Sequence, residues 1–202
     1  MTDPRDDQNG APAGGALGRL LAGLDQPRRG LPPVERWNPP YCGEIDMRIA
    51  ADGSWHYNGS PIGRPALVKL FASILRKDPE RFVLVTPVER VGIAVEDAPF
   101  LAVEMAVEGQ GSSRQIAMRT NLDDLVSVGE EHPLRFEQDE TGGVKPYVRV
   151  RGDLWARLTR SLALDLIALA EERRVDGQDL FGIAVGDRFY AIAAASEAAG
   201  LA

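Results

Sequence analysis

One cysteine, Cys42, stands in 202 residues, so no disulfide can form within the chain, a scarcity that fits a reducing compartment. Histidine is almost as rare. His56 and His132 lie far apart, and no Cys/His group has metal-ligand spacing, so no metal and no cofactor is expected. The GxSxG elbow of an acyl hydrolase is missing, as are a GxxxxGK[ST] phosphate loop and a strand-linked GxGxxG turn, which leaves enzyme chemistry without a motif. A surplus of cations is missing too: 23 Lys and Arg against 30 Asp and Glu leave a net charge of -7. Bulk binding along nucleic acid is thereby excluded, while a local pocket for one small anion is not. No apolar run is long enough to span a bilayer. The first fifteen residues, MTDPRDDQNGAPAGG, are polar and Gly/Pro-rich with no apolar stretch; they read as a disordered tail, and the expected location is cytoplasmic.

What remains is an ordinary globular composition, 44% hydrophobic and 26% charged, with length for one large domain or two small ones. Leu17, Leu20, Leu21 and Leu24 repeat at helical spacing, and the leucine stripe is expected to dock on the protein's own core. PRRGLPPVERWNPP then reads as an extended connector. Ile45–Ile49 and Trp55–Tyr57 flank a turn at Asp52-Gly53, a hairpin pattern. GSPIGRP enters a helix carrying Leu67, Leu70, Phe71, Ile74 and Leu75, expected to end near Asp78-Pro79. Two central strands, Phe82–Val85 and Val91–Val95, enclose a polar corner, and Phe100–Val107 and Gln115–Arg119 follow around GQGSS. Asn121 is placed to cap a short turn at LDDLV.

Beyond residue 130 the pattern repeats: a hairpin from Leu134–Glu137 and Val144–Val150, a helix opened by Gly152-Asp153 with Leu154, Leu158, Leu162, Leu166 and Leu169, then strands Phe181–Val185 and Phe189–Ala193. Gly-Ile-Ala-Val-x-Asp occurs at 92–97 and again at 182–187, an offset of 90 (182 − 92). Leu70 and Ile74 map to Leu158 and Leu162 at 88, and Gly53 to Gly142 at 89. The fold expected is α+β, mostly antiparallel, built from a duplicated unit of hairpin, helix and two strands. The domains read as 16–108 and 109–202, with the divide placed between about 109 and 133.

Differences between the two units point to candidate site residues. Arg64, at the helix entry Gly59–Arg64, is a fork-shaped donor beside exposed backbone N–H groups, the makings of an anion seat; the plainer alternative is a cap with an exposed arginine. Trp55 and Tyr57 share a strand face and can stack a planar ring, or else simply pack. Glu89 and Arg90 have no counterpart in the second unit, whereas Asp97 and Asp187 recur and read as turn caps. Thr86, Thr120 and Asn121 add hydrogen-bonding groups at corners.

WNPPYCGEIDMRI, DGSWHYNGSPIGR, LVTPVE, VEDAPF and Thr120-Asn121, in that order across residues 35–175, resemble an uncharacterised bacterial domain-of-unknown-function family. The resemblance implies repeated structural motifs and a C-terminal half like a pleckstrin-homology barrel. It also implies a ligand site between the halves, for a nucleotide-like molecule, and a part in signal transduction. It implies no reaction and no cofactor. Together these readings favour a non-enzymatic binding or regulatory protein holding a small anionic or nucleotide-like ligand between its halves, through Trp55, Tyr57, Arg64, Thr86, Glu89, Arg90, Thr120 and Asn121. Two rivals stand beside it: a nucleotide-directed hydrolase or transferase using Glu89 or Asp97 as base, and a protein-interaction module, with a signalling partner, that needs no small ligand. The sequence assigns no oligomeric state.

Overall fold

The computed structural model describes residues 30–139 and 142–196. The proposed tail and the leucine stripe at 17–24 lie outside the described residues. Three sheets and two short helices make up the fold. The first sheet takes β1 (Tyr41–Ile49), β2 (Trp55–Tyr57), β3 (Ser60–Pro61), β4 (Leu75–Asp78), β5 (Arg81–Val85) and β6 (Arg90–Val95) in the order β3-β2-β1-β6-β5-β4. The chain runs outward from β1 to one edge, crosses through helix α1 (Pro65–Ser73), and returns from the other edge to lay β6 parallel to β1.

The second sheet takes β7 (Phe100–Glu108), β8 (Gln115–Thr120), β9 (Leu125–Ser127), β10 (Leu134–Gln138), β11 (Val144–Arg151) and β12 (Leu154–Leu158) in the order β10-β11-β12-β7-β8-β9. Read from its other edge, this is the same winding: outward from the first strand, across, and back, with the last strand, β12, parallel to the first, β7. The chain therefore does repeat an architecture, but with a register that sequence matching misses. β7 begins 59 residues after β1 (100 − 41), not 88 to 90. The two Gly-Ile-Ala-Val runs fall on β6 and on β14 (Gln178–Val185), and β14 belongs to neither six-stranded sheet. The helices are not counterparts either: α1 joins the third and fourth strands of the first sheet, whereas α2 (Arg160–Ile167) follows the last strand of the second. After α2 come β13 (Glu171–Val175), β14 and β15 (Arg188–Ala194), an antiparallel three-stranded sheet. The change from first to second sheet falls at residues 96–99, ahead of the 108/109 divide read from the sequence.

Two helical readings give way to strands. Leu154, Ala156 and Leu158 are buried while Trp155 and Arg157 are not, the period-2 pattern of β12. The leucines at 154 and 158 satisfy a four-residue spacing that also fits a helix, but Gly152, at φ +49°, turns the chain back beside β11 first. Likewise α1 stops at Ser73, and Leu75–Asp78 pairs with Arg81–Val85. Buried Arg76 drives that choice, because its guanidinium reaches the carbonyls of Val34 and Trp37 and the carboxylate of Asp78.

One apolar core serves both six-stranded sheets, running from Met47, Ile49, Trp55 and Phe71 to Ile116, Met118, Val148 and Leu154. Gly53 (φ +80°) lets the β1–β2 turn approach the second sheet: a Cβ there would stand 2.9 Å from Asn121 Nδ2 and 3.1 Å from a Leu101 methyl. Among the described residues, no helix is long and apolar enough to cross a membrane.

Candidate functional site

The eight residues singled out from the sequence do not line one cleft. Thr86, Glu89 and Arg90 hold the β5–β6 corner. Thr86 is fully buried, and its Oγ1 accepts from the N–H groups of Val88 and Glu89 at 3.3 and 3.2 Å while donating to the Glu89 carbonyl at 3.2 Å. That hydroxyl closes its own turn. Arg90 donates to Asp78 at 2.9 Å, a carboxylate already bound to Arg76 at 2.7 Å. Thr120 repeats the device at the β8–β9 turn, accepting from Leu122 and Asp124 N–H at 3.2 and 3.0 Å. The cap of the turn at LDDLV is Thr120 rather than Asn121, whose Oδ1 instead accepts from Leu101 N–H at 3.1 Å.

Trp55 is 2% exposed and stacks on Phe71 with ring centroids 6.3 Å apart, so neither face is open to a ligand. Tyr57 is half-buried against the same core. Arg64 precedes α1 in extended backbone, exposed, with its side chain making no capping bond. Arg90 pairs with Tyr41 at one end of β1, and Trp55 pairs with Ile49 at the other. Ile49 in turn pairs with Val95, so the two ends lie five residues apart along β6, roughly 17 Å at about 3.3 Å per residue.

A polar string on the first hairpin invites comparison with a nucleophile. Ser54 Oγ lies 2.5 Å from Asp52 Oδ1 and 3.0 Å from His56 Nε2. Hydrogen bonds from the Ser54 hydroxyl and N–H hold the Asp52 carboxyl below its ordinary pKa, so it is an acceptor only and takes the serine proton. His56 must then donate to Ser54 rather than deprotonate it. The string braces a turn and activates nothing.

Where the first and second sheets meet, Arg157 donates to the Ala51 carbonyl at 2.8 Å and pairs with Asp97 at 3.1 Å, and the Tyr147 hydroxyl donates to the other Asp97 oxygen at 2.7 Å. Both oxygens of Asp97 are therefore engaged, which leaves no lone general base there. Burial, reinforced by the Asp97 bond, raises the Tyr147 phenol above its ordinary pKa. Beside this junction opens a cleft of about 500 Å³ between α2 and the ends of β11 and β12. Lys145, Arg157 and Arg160 line it against one carboxylate, Asp139, with Pro146, Leu164 and Ile167 as an apolar wall. Among the described residues Lys145 and Arg160 make no ion pair. Sequence reasoning passed over all three cations, because Arg157 and Arg160 sit in a stretch it assigned to a single helix; their signal is the Lys-Pro-Tyr and Trp-Ala-Arg alternation once both runs are strands.

A larger cavity, about 790 Å³, lies between the second sheet and the β14–β15 turn. Its floor includes Ala106, Ala117 and Ser127, and Glu108, Arg114, Asp187 and Arg188 bring charge to it. Two acids face two arginines there, in contrast with the excess of cations in the smaller cleft. None of the eight sequence-selected residues lines either space. No group of three His, Cys, Asp or Glu among the described residues could hold a metal ion.

Two adjoining family models match the chain: the N-terminal domain of DUF1285, a domain of unknown function, over residues 32–98, and the DUF1285 C-terminal domain, from a protein of unknown function, over residues 99–192. The junction between them coincides with the passage from the first sheet to the second. A crystal structure of a DUF1285 family protein from Silicibacter pomeroyi DSS-3 is 44% identical, with a TM-score of 0.79, covering 88% of this chain and 96% of that one. Another, from Shewanella baltica OS155, is 28% identical with a TM-score of 0.48, over 60% of this chain and 90% of its own. No curated protein matches.

Proposed function

This chain belongs to the DUF1285 family, and from that premise we propose that it is a non-enzymatic binding or regulatory protein for a small anionic ligand, seated in the cleft of Lys145, Arg157 and Arg160. One observation carries the reading: of the three cations lining this concave space, Arg157 is paired with Asp97, while Lys145 and Arg160 have no ion-pair partner among the described residues and face one described carboxylate, Asp139. Uncompensated positive charge in a recess with low-dielectric walls concentrates anions. Arg157, held by Asp97 and the Ala51 carbonyl, supplies fixed potential from the junction of the two family domains. Lys145 and Arg160 are the groups at liberty to contact the ligand. The apolar wall of Pro146, Leu164 and Ile167 suits a ligand with an organic body, for which a nucleotide is one model. A part in signal transduction, and a pleckstrin-like character for residues 99–192, belong to the same proposal; superposition on pleckstrin-homology barrels tests the second.

Calorimetric titration with inorganic phosphate, pyrophosphate and nucleoside mono- and diphosphates tests the ligand class. At least one of these binds, its affinity falls as salt rises, and Arg160→Ala and Lys145→Ala each weaken it by about tenfold. Both side chains lie outside the core, so neither substitution moves the urea midpoint. Silence across the panel, or undiminished binding in both variants, would remove the proposal.

A further inference from the structure

We propose that the larger cavity is a second and separate site, for a zwitterionic small molecule of amino-acid to dipeptide size with an apolar side chain. Its shape follows from strand register. Ala106 pairs with Ala117, and Ala117 with Ser127, so three small residues stand side by side across β7, β8 and β9. The next row on that face, Glu104 with Arg119 and Arg119 with Leu125, lies beyond the cavity and carries the Arg119–Glu104 ion pair at 2.5 Å. On the opposite side Gly186, Asp187 and Arg188 rise from the β14–β15 turn. That turn is fixed by a hydrogen bond from Gly186 N–H to the Arg114 carbonyl at 2.9 Å. The floor crosses three strands, roughly 10 Å at ~4.8 Å per strand spacing.

Its charges set the ligand class. Arg114 is half-buried, and its Nη1 donates to the Leu169 and Ala184 carbonyls at 3.1 and 3.2 Å. Those bonds lock the guanidinium in place but bring no counter-charge, and among the described residues Arg114 has no carboxylate partner. A guanidinium carries five N–H donors, so a fork remains for a ligand carboxylate. Arg188 lines the same cavity, its ion-pair partner among the described residues being Glu130 in an exposed pair, the kind that contributes little and exchanges readily. Glu108 and Asp187, in turn, are carboxylates with no cation partner among the described residues, and they suit an ammonium. A plain anion would meet the two acids and a plain amine the two arginines; one molecule carrying both charges satisfies the rim, and its side chain covers the alanine floor.

Calorimetry on the whole protein with leucine, phenylalanine and their dipeptides, beside the N-acetylated and C-amidated form of each, reads this directly. A zwitterion binds, and blocking either end weakens it by about tenfold or more. Ala117→Phe fills the trough at an exposed position and abolishes binding, while Arg114→Gln weakens the free carboxylate form and leaves the amidated form unchanged. Arg160→Ala has no effect here, which separates this site from the anion cleft. The inference is overturned by absence of binding across the panel, by blocked forms binding as well as free ones, or by unaltered affinity in Ala117→Phe.

Discussion

The two six-stranded sheets are wound alike and yet spend their polar groups in opposite ways. In the first, cations are consumed internally: Arg76 and Arg90 share Asp78, with Arg76 also reaching the carbonyls of Val34 and Trp37. Its tryptophan, Trp55, is sealed against Phe71, whereas the corner hydroxyls, Thr86 in the first sheet and Thr120 in the second, each satisfy their own turn. In the second, Lys145, Arg160 and Arg114 have no carboxylate partner among the described residues, and Trp155 stays half-exposed beneath Arg135, whose guanidinium lies 4.4 Å from its ring. The second sheet also carries what the first lacks, namely α2 and the three-stranded sheet, and those additions convert its ends into recesses. A repeated architecture thus treats charge in two ways: Arg76 and Arg90 of the first copy share Asp78, whereas Lys145, Arg160 and Arg114 of the second have no carboxylate partner among the described residues.

The sharpest way to break this contrast is to exchange the tryptophans for alanine. Trp55→Ala empties a fully packed site in the shared core and should cost about 3–5 kcal/mol in urea unfolding. Trp155→Ala removes a half-exposed ring and one cation–π contact, a loss of about 1 kcal/mol or less. Comparable losses for the two would mean that the second sheet is as closed as the first. The threonines give a finer cut. Thr86→Val and Thr120→Val each remove a buried hydroxyl and the acceptor of two turn N–H groups, at about 1–3 kcal/mol apiece. Thr120 carries more, because its hydroxyl also meets Asp124 at 3.3 Å, and Asp124 holds Arg151, whose other nitrogen donates to the Ala72 carbonyl of α1 at 2.7 Å. A double-mutant cycle of Thr120→Val with Arg151→Met should therefore show coupling, and one of Thr86→Val with Arg151→Met none.

Much of this fold is legible from period-2 runs. The strand at 115–119 alternates cleanly, those at 82–85 and 91–95 are short continuous apolar runs between polar corners, and these strands and both hairpins stand where the sequence puts them. β12 is not legible, since Leu154 and Leu158 fit a two-residue and a four-residue period equally well, and only the turn at Gly152 decides between them. β13 is missed for a different reason: Glu-Glu-Arg-Arg-Val has no apolar alternation because it is a charged edge strand. The repeat itself is legible in kind but not in register, for the winding is conserved in strand order while the helix moved outside it. Site residues are the least legible. Whether an arginine is spent or available depends on which carboxylate the tertiary fold brings near. Arg90 finds Asp78 across two strands, and Arg114, among the described residues, finds the Leu169 and Ala184 carbonyls.

The smallest expected effect concerns the junction itself and is read by pH. Burial and the bond to Asp97 raise the Tyr147 phenol above its ordinary value, so the folded protein resists its ionisation while the unfolded chain ionises near pH 10. A pKa raised on folding contributes stability that is whole below the unfolded value and is lost as pH climbs past it. Unfolding free energy should hold steady from neutral pH to the onset of tyrosine ionisation and then fall. Tyr147→Phe removes one titrating group and one hydrogen bond. It should be less stable than the parent at neutral pH, by about 1 kcal/mol, and lose less on going alkaline, so that the two curves converge. Tyr190, also raised by burial, keeps part of the slope in the variant. Parallel curves would mean that Tyr147 ionises as freely in the folded protein as in the unfolded chain, and that the Asp97–Arg157 contact joins the two sheets without it.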